Sequence, residues 1–559
     1  MNKPDPDLSP LWTRLTSEGH KTGTWRAALP VYQDQPSPCL GACPVSGRIA
    51  TWIAQVEAGD LRAAWQTLTD NNPFPAIAGR ICHHPCETAC NRAQHDETVS
   101  ICALERFVGD TALAEGWAFA PPATERPARV AVVGGGPAGL SAAYQLRRAG
   151  IRVTLFEATE ALGGLMRSGI PAYRLARDVL NAEISRILAM GIAVETGCGL
   201  MDRQAVEALA EDFDAVFLAT GASLPRRLPG LDYSAGFVTD SAAFLAAAPD
   251  RQGQMTGAHV LVIGGGSAAM DVARTARRLG REVTVMALEP EGQLPAQRAE
   301  LEEAREEGVQ FVTGAMLCAA RPDAGRVTAE CARVTFTPGA ARGQFTVEPI
   351  AGSDFTLEAD TIIPAIGQDA DIARWQGLLE PAGPVIAADP RSHTTSHPKI
   401  FAGGDMASME RFVTHAIGMG KEAARAIIAR LAPEAPAPAS LPGPQVEFER
   451  INTAYHPDTP RQHQDHAPVP DRLTGFDEVQ RPLSPGAAHA EAGRCFSCGT
   501  CIHCDNCYFY CPDMAINRLH PGYEVRLDYC KGCGLCVAEC PTGAIHMTED
   551  SDQTGEAGP

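Results

Sequence analysis

Apolar positions along this chain follow two periods. Across residues 48–58 and 60–68, Trp52, Ile53, Val56, Leu61 and Trp65 fall near 3.6-residue spacing, which predicts two amphipathic helices. From Val130 the spacing collapses to an unbroken apolar run, followed by glycines, a helical stretch over 140–149 and a second strand over 153–157. Short continuous runs of this kind read as strands of a parallel sheet buried on both faces. The same order begins again at His259, with a helix reaching Gly280 and a strand from Val283. Proline punctuates the joints. Pro121 and Pro122 close the first helical segment. Pro433, Pro436, Pro438, Pro442 and Pro444 then open a stretch that stays irregular to about Pro485. That composition predicts a semi-extended tether over 433–485 rather than a folded unit.

A chain of 559 residues with 53 glycines and 45% hydrophobic content is long enough for several globular domains, each with its own core. Its net charge of −20 disfavours nucleic acid and anionic membrane surfaces as partners. Asp5, Asp7 and Glu18 fall in opening residues that lack the apolar core of a secretory leader, and no uncharged run is long enough to span a bilayer. A cytoplasmic setting is therefore expected, where cysteines stay reduced and available to metals.

The first glycine motif is Gly134-Gly135-Gly136-Pro137-Ala138-Gly139. Gly134 permits the tight turn, Gly136 lets a pyrophosphate approach the backbone, and Gly139 allows close helix–strand packing. The following helix N-terminus carries the anion, and Glu157 at the end of the second strand is placed to bind a ribose diol. The second motif is Gly264-Gly265-Gly266-Ser267-Ala268-Ala269, with Asp271 two residues on. Alanine at the third glycine position is an accepted variant. Two such sites fit one resident flavin and one exchanging nicotinamide, because hydride transfer needs both rings in contact. After the second strand of this unit comes Glu289, and a carboxylate favours the diol of NADH over the 2′-phosphate of NADPH. Arg277 and Arg298 remain alternative phosphate partners.

All 19 cysteines except Cys198, Cys318 and Cys331 lie in two terminal clusters. The C-terminal one reads Cys501-x2-Cys504-x2-Cys507-x3-Cys511-Pro512, then Cys530-x2-Cys533-x2-Cys536-x3-Cys540-Pro541. This doubled spacing resembles a bacterial two-cluster ferredoxin, in which the fourth cysteine of each run ligates the other cluster. Four-cysteine zinc sites instead pair two Cys-x2-Cys units across a longer gap. The three outlying cysteines form no redox-active pair and read as small buried hydrophobes.

The block over 126–432 resembles the small subunit of glutamate synthase and its relatives, FAD- and NAD(P)H-dependent enzymes of the pyridine nucleotide-disulfide oxidoreductase class. The resemblance is carried by Gly163-Gly164-Leu165-Met166-Arg167-Ser168-Gly169-Ile170-Pro171, by Ala219-Thr220-Gly221-Ala222 and by the second glycine motif. It continues through Thr361 to Gly367-Gln368, Phe401-Ala402-Gly403-Gly404-Asp405 and Ala416-Ile417-Gly418-Met419-Gly420-Lys421. It implies FAD at the first motif and NAD(P) at the second. Gly164, Leu165, Arg167, Ile170, Thr220, Gly221, Gly367, Gly404, Asp405 and Gly418 are then cofactor-binding positions. It also implies a nicotinamide domain over 241–355 inserted into a flavin domain of 126–240 and 356–432. Many members of the family carry an arginine pair where this chain has Glu289, which strengthens the expectation of NADH. The implied fold class is a helical iron–sulfur domain over 1–122, two Rossmann-like α/β nucleotide-binding domains and a ferredoxin-like α+β domain over 486–559.

Cys39-x3-Cys43-Pro44 and Cys82-x3-Cys86-x3-Cys90 resemble the helical iron–sulfur domain of the same enzymes and of dihydropyrimidine dehydrogenase. Relatives hold two 4Fe–4S clusters there, and a further Cys-x2-Cys precedes the position of Cys39. This chain has no cysteine before Cys39. By position, Cys43, Cys82 and Cys86 hold one cluster with Glu105 or Cys102 as fourth ligand, which leaves Cys39 and Cys90 with half a site. Cys495-x2-Cys498 belongs to neither ferredoxin quartet, and its flanks look like the missing upstream segment. Cys495 and Cys498 are expected to complete a cluster with Cys39 and Cys90. The alternatives are that one N-terminal cluster has been lost, or that the pair is unliganded or binds a metal with other residues.

The expected function is that of an NAD(P)H:iron–sulfur acceptor oxidoreductase subunit in a hetero-oligomer, working with catalytic subunits or a soluble ferredoxin. The C-terminal segment resembles the two-cluster subunit of 2-oxoacid:ferredoxin oxidoreductases. The flavoprotein serving dissimilatory sulfite reductase and a glutamate synthase small subunit are the alternatives. The tether is expected to let the ferredoxin unit present a cluster away from the flavin block. Hydride transfer to flavin needs positioning rather than a protein acid or base, so no catalytic residue is named.

Overall fold

The computed structural model describes residues 21–23, 26–199, 201–247, 257–323, 326–340, 344–434 and 444–550. The opening stretch with Asp5, Asp7 and Glu18, and Pro436, Pro438 and Pro442, lie outside them. No described helix is long and apolar enough to cross a membrane.

The two periodic stretches near the N-terminus form the helices Ile49–Glu57 and Leu61–Thr69. Asp60 caps the second, its carboxylate accepting the Ala63 N–H at 2.9 Å. Trp52, Ile53, Val56 and Trp65 are buried in one core with Leu104 and Val108. That core also takes Leu483, Ala488 and Ala492 from the far end of the chain.

Five parallel strands form the first nucleotide-binding sheet, in the order Ile400–Ala402, Ala215–Leu218, Arg129–Val133, Arg152–Phe156, Ala193–Glu195. The strand Ile400–Ala402 joins only after a second domain has been inserted. That domain has its own parallel sheet, Thr361–Pro364, His259–Ile263, Glu282–Ala287, Gln310–Thr313, followed by an antiparallel sheet built on Arg326–Pro338. Thr361–Pro364 pairs with His259–Ile263, so the chain returns to the flavin fold beyond Pro364 rather than at residue 356. Leu224–Pro225 pairs with Gln368–Asp369, and Arg226 N donates to Gly367 O at 3.1 Å. This ribbon is where the chain leaves and re-enters, so the insertion also starts before residue 241.

The ferredoxin unit is not closed by C-terminal residues alone. Ala28–Tyr32 pairs antiparallel with Ile545–Glu549, Gln35 N donates to Gly499 O, and Arg26 forms an ion pair with Asp550. The first residues described therefore belong with the last ones, not with the helical domain of 1–122.

The tether expected over 433–485 is corrected by its contacts. Among residues 444–485, regular structure is sparse, but the segment is pinned as a strap across three domains. Glu478 pairs with Arg80 and Arg106 of the helical domain, Val479 N donates to Tyr173 O of the flavin domain, and Arg472 pairs with Glu306 of the inserted domain. Arg461 adds bonds to Glu87, Thr98 and Ser100. The ferredoxin unit is consequently held against the body of the protein and does not reach out on a flexible arm.

Candidate redox centre

Gly134 (φ +110°) and Gly264 (φ +134°) turn the chain sharply after their strands, a conformation that side chains disfavour. A Cβ on either would strike a carbonyl oxygen, that of Ala219 at 2.3 Å or Ala365 at 2.4 Å. Gly136 and Gly266 are the opposite case. Nothing lies within 4 Å of a Cβ on Gly266, and only Gly164 Cα, at 3.9 Å, approaches one on Gly136. Their backbones are open to a phosphate. The helices that follow, Pro137–Arg148 and Ser267–Arg278, begin at once, so their first N–H groups lack helical partners and suit an anion. Ala138 and Ala269 are buried at these helix starts, and a Cβ on Gly139 would meet Gly134 O at 1.9 Å.

Glu157 is fixed at the end of its strand. Oε2 accepts Gly135 N at 2.8 Å, and Oε1 accepts the Thr159 N–H and hydroxyl, both at 2.9 Å. Oε2, with one bond accepted, keeps lone-pair capacity for a ribose hydroxyl. Glu289 takes the equivalent place in the inserted domain, 3.1 Å from where a Cβ on Gly265 would sit, and burial raises its pKa. The alternative phosphate partners are engaged elsewhere. Arg277 donates to Glu307 O and Arg281 O, and Arg298 is exposed and pairs with Glu302.

Asp271 does not belong to the nucleotide loop. It is buried, with both carboxylate oxygens taken by Arg174 at 2.8 and 3.0 Å, and Arg174 also pairs with Glu300 at 2.6 Å. The motif placed Asp271 correctly on its helix, but the salt bridge makes it a clamp between the two nucleotide domains.

Around the first loop, Gly163 N donates to Gly135 O at 2.8 Å, which brings Gly164 beside Gly136. Arg167 stitches this turn by bonds to Leu162 O and Asn181 Oδ1, both at 2.6 Å, while Leu165 is exposed and Ile170 half-buried. Thr220 Oγ1 lies 3.0 Å from Met406 Sδ, with Gly221 (φ +72°) next in the chain. Gly404 packs on Ala138, and burial pushes the neighbouring Asp405 carboxyl up to about 6. The helix Val413–Leu431 then rests on the cysteine domain. A Cβ on Gly418 would strike Pro44 O at 2.3 Å, and buried Lys421 donates to Val45 O at 2.5 Å.

That contact brings the flavin-side helix to the first cysteine site. Cys82 Sγ lies 3.8 Å from Thr414 Oγ1 in the opening turn of the helix. Cys43, Cys82 and Cys86 all feel the charge of Glu105, which is held by Asn72 at 2.7 Å and pushed up to about 7 by burial. Cys102 lies near Cys82 and Cys86, but its sulfur is 3.5 Å from Ala78 O. Glu105 neighbours all three cysteines, and Cys102 neighbours two of them.

In the ferredoxin unit, Cys511 joins Cys530, Cys533 and Cys536 around a cavity of about 20 Å³. Cys540 lies near Cys501 and Cys507, and Cys504 neighbours both of those as well. The fourth cysteine of each run thus crosses to the other quartet. Cys39, Cys90, Cys495 and Cys498 line another cavity, also of about 20 Å³. Burial pushes the Cys82, Cys495 and Cys536 thiols up to about 12, so without a metal they stay protonated, and iron is what converts such groups to thiolates.

Comparison with known proteins gives three matched segments. Residues 128–420 match the family described as pyridine nucleotide-disulphide oxidoreductase, residues 26–117 match dihydropyrimidine dehydrogenase domain II, 4Fe-4S cluster, and residues 523–546 match a 4Fe-4S binding domain. Cys495 and Cys498 fall outside all three. Among similar proteins is the NADP(+)-dependent formate dehydrogenase subunit beta of Moorella thermoacetica. It is 33% identical over 500 residues, which cover 83% of this chain and 70% of that one. The NADPH-Fe(3+) oxidoreductase subunit beta of Geobacter sulfurreducens is 34% identical over 425 residues, 70% of this chain and 63% of its own. The NAD-dependent dihydropyrimidine dehydrogenase subunit PreT of Escherichia coli is 34% identical over 398 residues, 70% and 90% respectively.

Proposed function

Because the chain belongs to the pyridine nucleotide-disulphide oxidoreductase family, we propose that its nucleotide domains and cysteine sites form one route between NAD(P)H and a partner enzyme, entered at Glu289 and left at the ferredoxin unit. The protein is an FAD-dependent NAD(P)H oxidoreductase carrying 4Fe–4S clusters. When bound, FAD would supply hydride acceptance with one-electron release, and 4Fe–4S clusters would supply single-electron carriage. The chain's own residues hold and orient these groups. Gly136 with the start of Pro137–Arg148 takes the FAD pyrophosphate and Glu157 its ribose, while Gly266 and Glu289 do the same for the nicotinamide nucleotide.

The observation that carries this reading is the helix Val413–Leu431, which touches both halves of the route. Gly418 packs on Pro44 beside Cys43, and Thr414 meets Cys82. At the other end Cys504 and Cys533 are exposed, and Phe509 and Met514 stand 70% and 79% exposed near them, which supports an exit there.

The partner is a catalytic subunit that exchanges low-potential electrons, and a 2-oxoacid:ferredoxin oxidoreductase is the class the two-cluster unit favours. Relatives named as formate dehydrogenase and dihydropyrimidine dehydrogenase subunits support the same role as an accessory redox chain. The cysteine content supports a reducing, cytoplasmic setting. The test uses the anaerobic holoprotein with NADH, first with a dye that takes electrons from flavin and then with a two-cluster ferredoxin or the 2-oxoacid enzyme. Turnover with both supports the route. Dye turnover alone would remove the ferredoxin unit as the exit.

A further inference from the structure

Two cysteine pairs from opposite ends of the chain frame one cavity. We propose that Cys39, Cys90, Cys495 and Cys498 ligate a 4Fe–4S cluster that neither the helical domain nor the ferredoxin segment holds alone. The inference deepens the route described above, since it names a link that none of the matched segments contains.

The ferredoxin unit supplies an internal standard. Its quartet of Cys511, Cys530, Cys533 and Cys536 lines a cavity of about 20 Å³, and the split quartet lines one of the same size, about 20 Å³. Zinc does not suit these sulfurs. A tetrahedral zinc with Zn–S bonds of about 2.3 Å draws its four sulfurs to within about 4 Å of one another. Among the described residues no three cysteine sulfurs lie within 4.8 Å of each other, and all the described cysteines are free of disulfides. The sulfurs stand around a space rather than around a point.

The cavity also carries polar atoms aimed at its sulfurs. Ser37 Oγ lies 3.1 Å from Cys39 Sγ, Asn91 Nδ2 3.6 Å from Cys498 Sγ, and Ser497 N 3.4 Å from Cys495 Sγ. Hydrogen bonds to ligating sulfurs tune and stabilise such clusters. Ile49, Ile53, Val99, Ile101 and Phe496 supply the apolar walls.

The Cys495–Cys498 loop is held too firmly to be incidental. Arg494 is buried and bonds Glu491 at 2.8 Å and Asp96 at 3.0 Å, while Arg92 donates to Arg494 O at 2.7 Å. Glu491 in turn accepts Ser100 N and Gln462 N, both at 2.7 Å. Buried charges are tolerated only when paired this completely, so the network fixes the loop against the helical domain.

The site's neighbours make it a middle link. Cys39 lies in the helix Pro38–Ala42 and Cys43 caps its C-terminus, donating its N–H to Cys39 O at 3.1 Å, and Cys43 belongs to the flavin-side site. Cys498 and Cys501 flank Gly499, whose N–H donates to Thr542 O at 2.7 Å, beside Cys540.

The test reads iron, acid-labile sulfide and EPR spectra of the dithionite-reduced full chain. Cys495→Ser with Cys498→Ser, and separately Cys39→Ser with Cys90→Ser, should each remove about a quarter of the iron and the same EPR component. Flavin absorbance and the two ferredoxin signals should persist. Asn91→Ala keeps all four sulfurs, so it should shift that same component without loss of iron, which separates ligation from misfolding. Unchanged iron in either cysteine variant, different components lost by the two pairs, or zinc in place of iron would overturn the proposal. None of these readouts needs turnover, so a failure here is distinguishable from a failure of the electron route itself.

Discussion

Asn91 Nδ2 lies 3.6 Å from Cys498 Sγ, although 407 positions separate the two residues in the chain. The same amide group donates to Val446 O at 2.9 Å, so one side chain ties together the helical domain, the returning strap and the C-terminal cysteines. The protein is therefore closed head to tail. Its first described strand, Ala28–Tyr32, sits in the ferredoxin unit, and its last domain sits on the first. This closure orders the cysteine sites without depending on chain order.

The strap should contribute measurably to stability. Glu478 meets Arg80 Nε at 2.5 Å and Arg106 Nη2 at 2.9 Å, and both arginines are buried. Glu478→Ala leaves them Asp110 and the backbone oxygens of Ala76 and Gln480, which should cost about 2 kcal/mol and lower the apparent Tm by several degrees. Glu478→Gln should cost less. An unchanged melting curve for the alanine variant would mean that the strap is not held by this pair.

Glu183 should make stability fall toward alkaline pH. It is fully buried, and burial pushes its carboxyl up to about 8 despite relief from Arg186 and the Ile77 N–H. The folded pKa lies above the unfolded value near 4.5, so its stabilising contribution is complete below about 4.5 and lost as pH rises to about 8. Between pH 6 and 8 the wild-type Tm should therefore decline more steeply than that of Glu183→Gln. Parallel curves would contradict the assignment.

Much of this architecture is legible in the sequence, and the misses share a cause. The helices Ile49–Glu57 and Leu61–Thr69 follow from the spacing of Trp52, Val56 and Trp65, and both nucleotide loops follow from their glycines. The strap was not legible, because Arg461, Glu478 and Val479 act through single long-range contacts that leave no periodic trace. Asp271 sits where a binding motif is read, and only the fold reveals Arg174 opposite it. The strand Thr361–Pro364 looks alike whichever sheet it joins, and its pairing with His259–Ile263 moved the domain boundary.

Nucleotide choice should follow Glu289. Its carboxylate beside Gly265 repels a 2′-phosphate, so kcat/KM with NADH should exceed that with NADPH. Glu289→Arg should move the ratio toward NADPH by roughly tenfold, about 1.4 kcal/mol. A wild-type preference for NADPH would sink this reading and direct attention to Arg298.

The exposed ring of the ferredoxin unit should govern delivery and not hydride uptake. Replacing Phe509 and Met514 together by serine and glutamine should leave dye reduction by NADH unchanged. Reduction of a protein acceptor should slow by about tenfold, since apolar anchors dominate such contacts. Equal rates for both acceptors in wild type and variant would place the exit elsewhere.

The central claim is that electrons from NAD(P)H reach the clusters through the flavin within this one chain. Anaerobic titration of the full-length holoprotein with NADH and NADPH, followed by flavin absorbance and EPR on the same samples, tests it most directly. Flavin bleaching should be accompanied by EPR signals from reduced 4Fe–4S centres, with no added partner. Bleaching of the flavin while every cluster stays EPR-silent, in a sample whose clusters are reducible by dithionite, would contradict it.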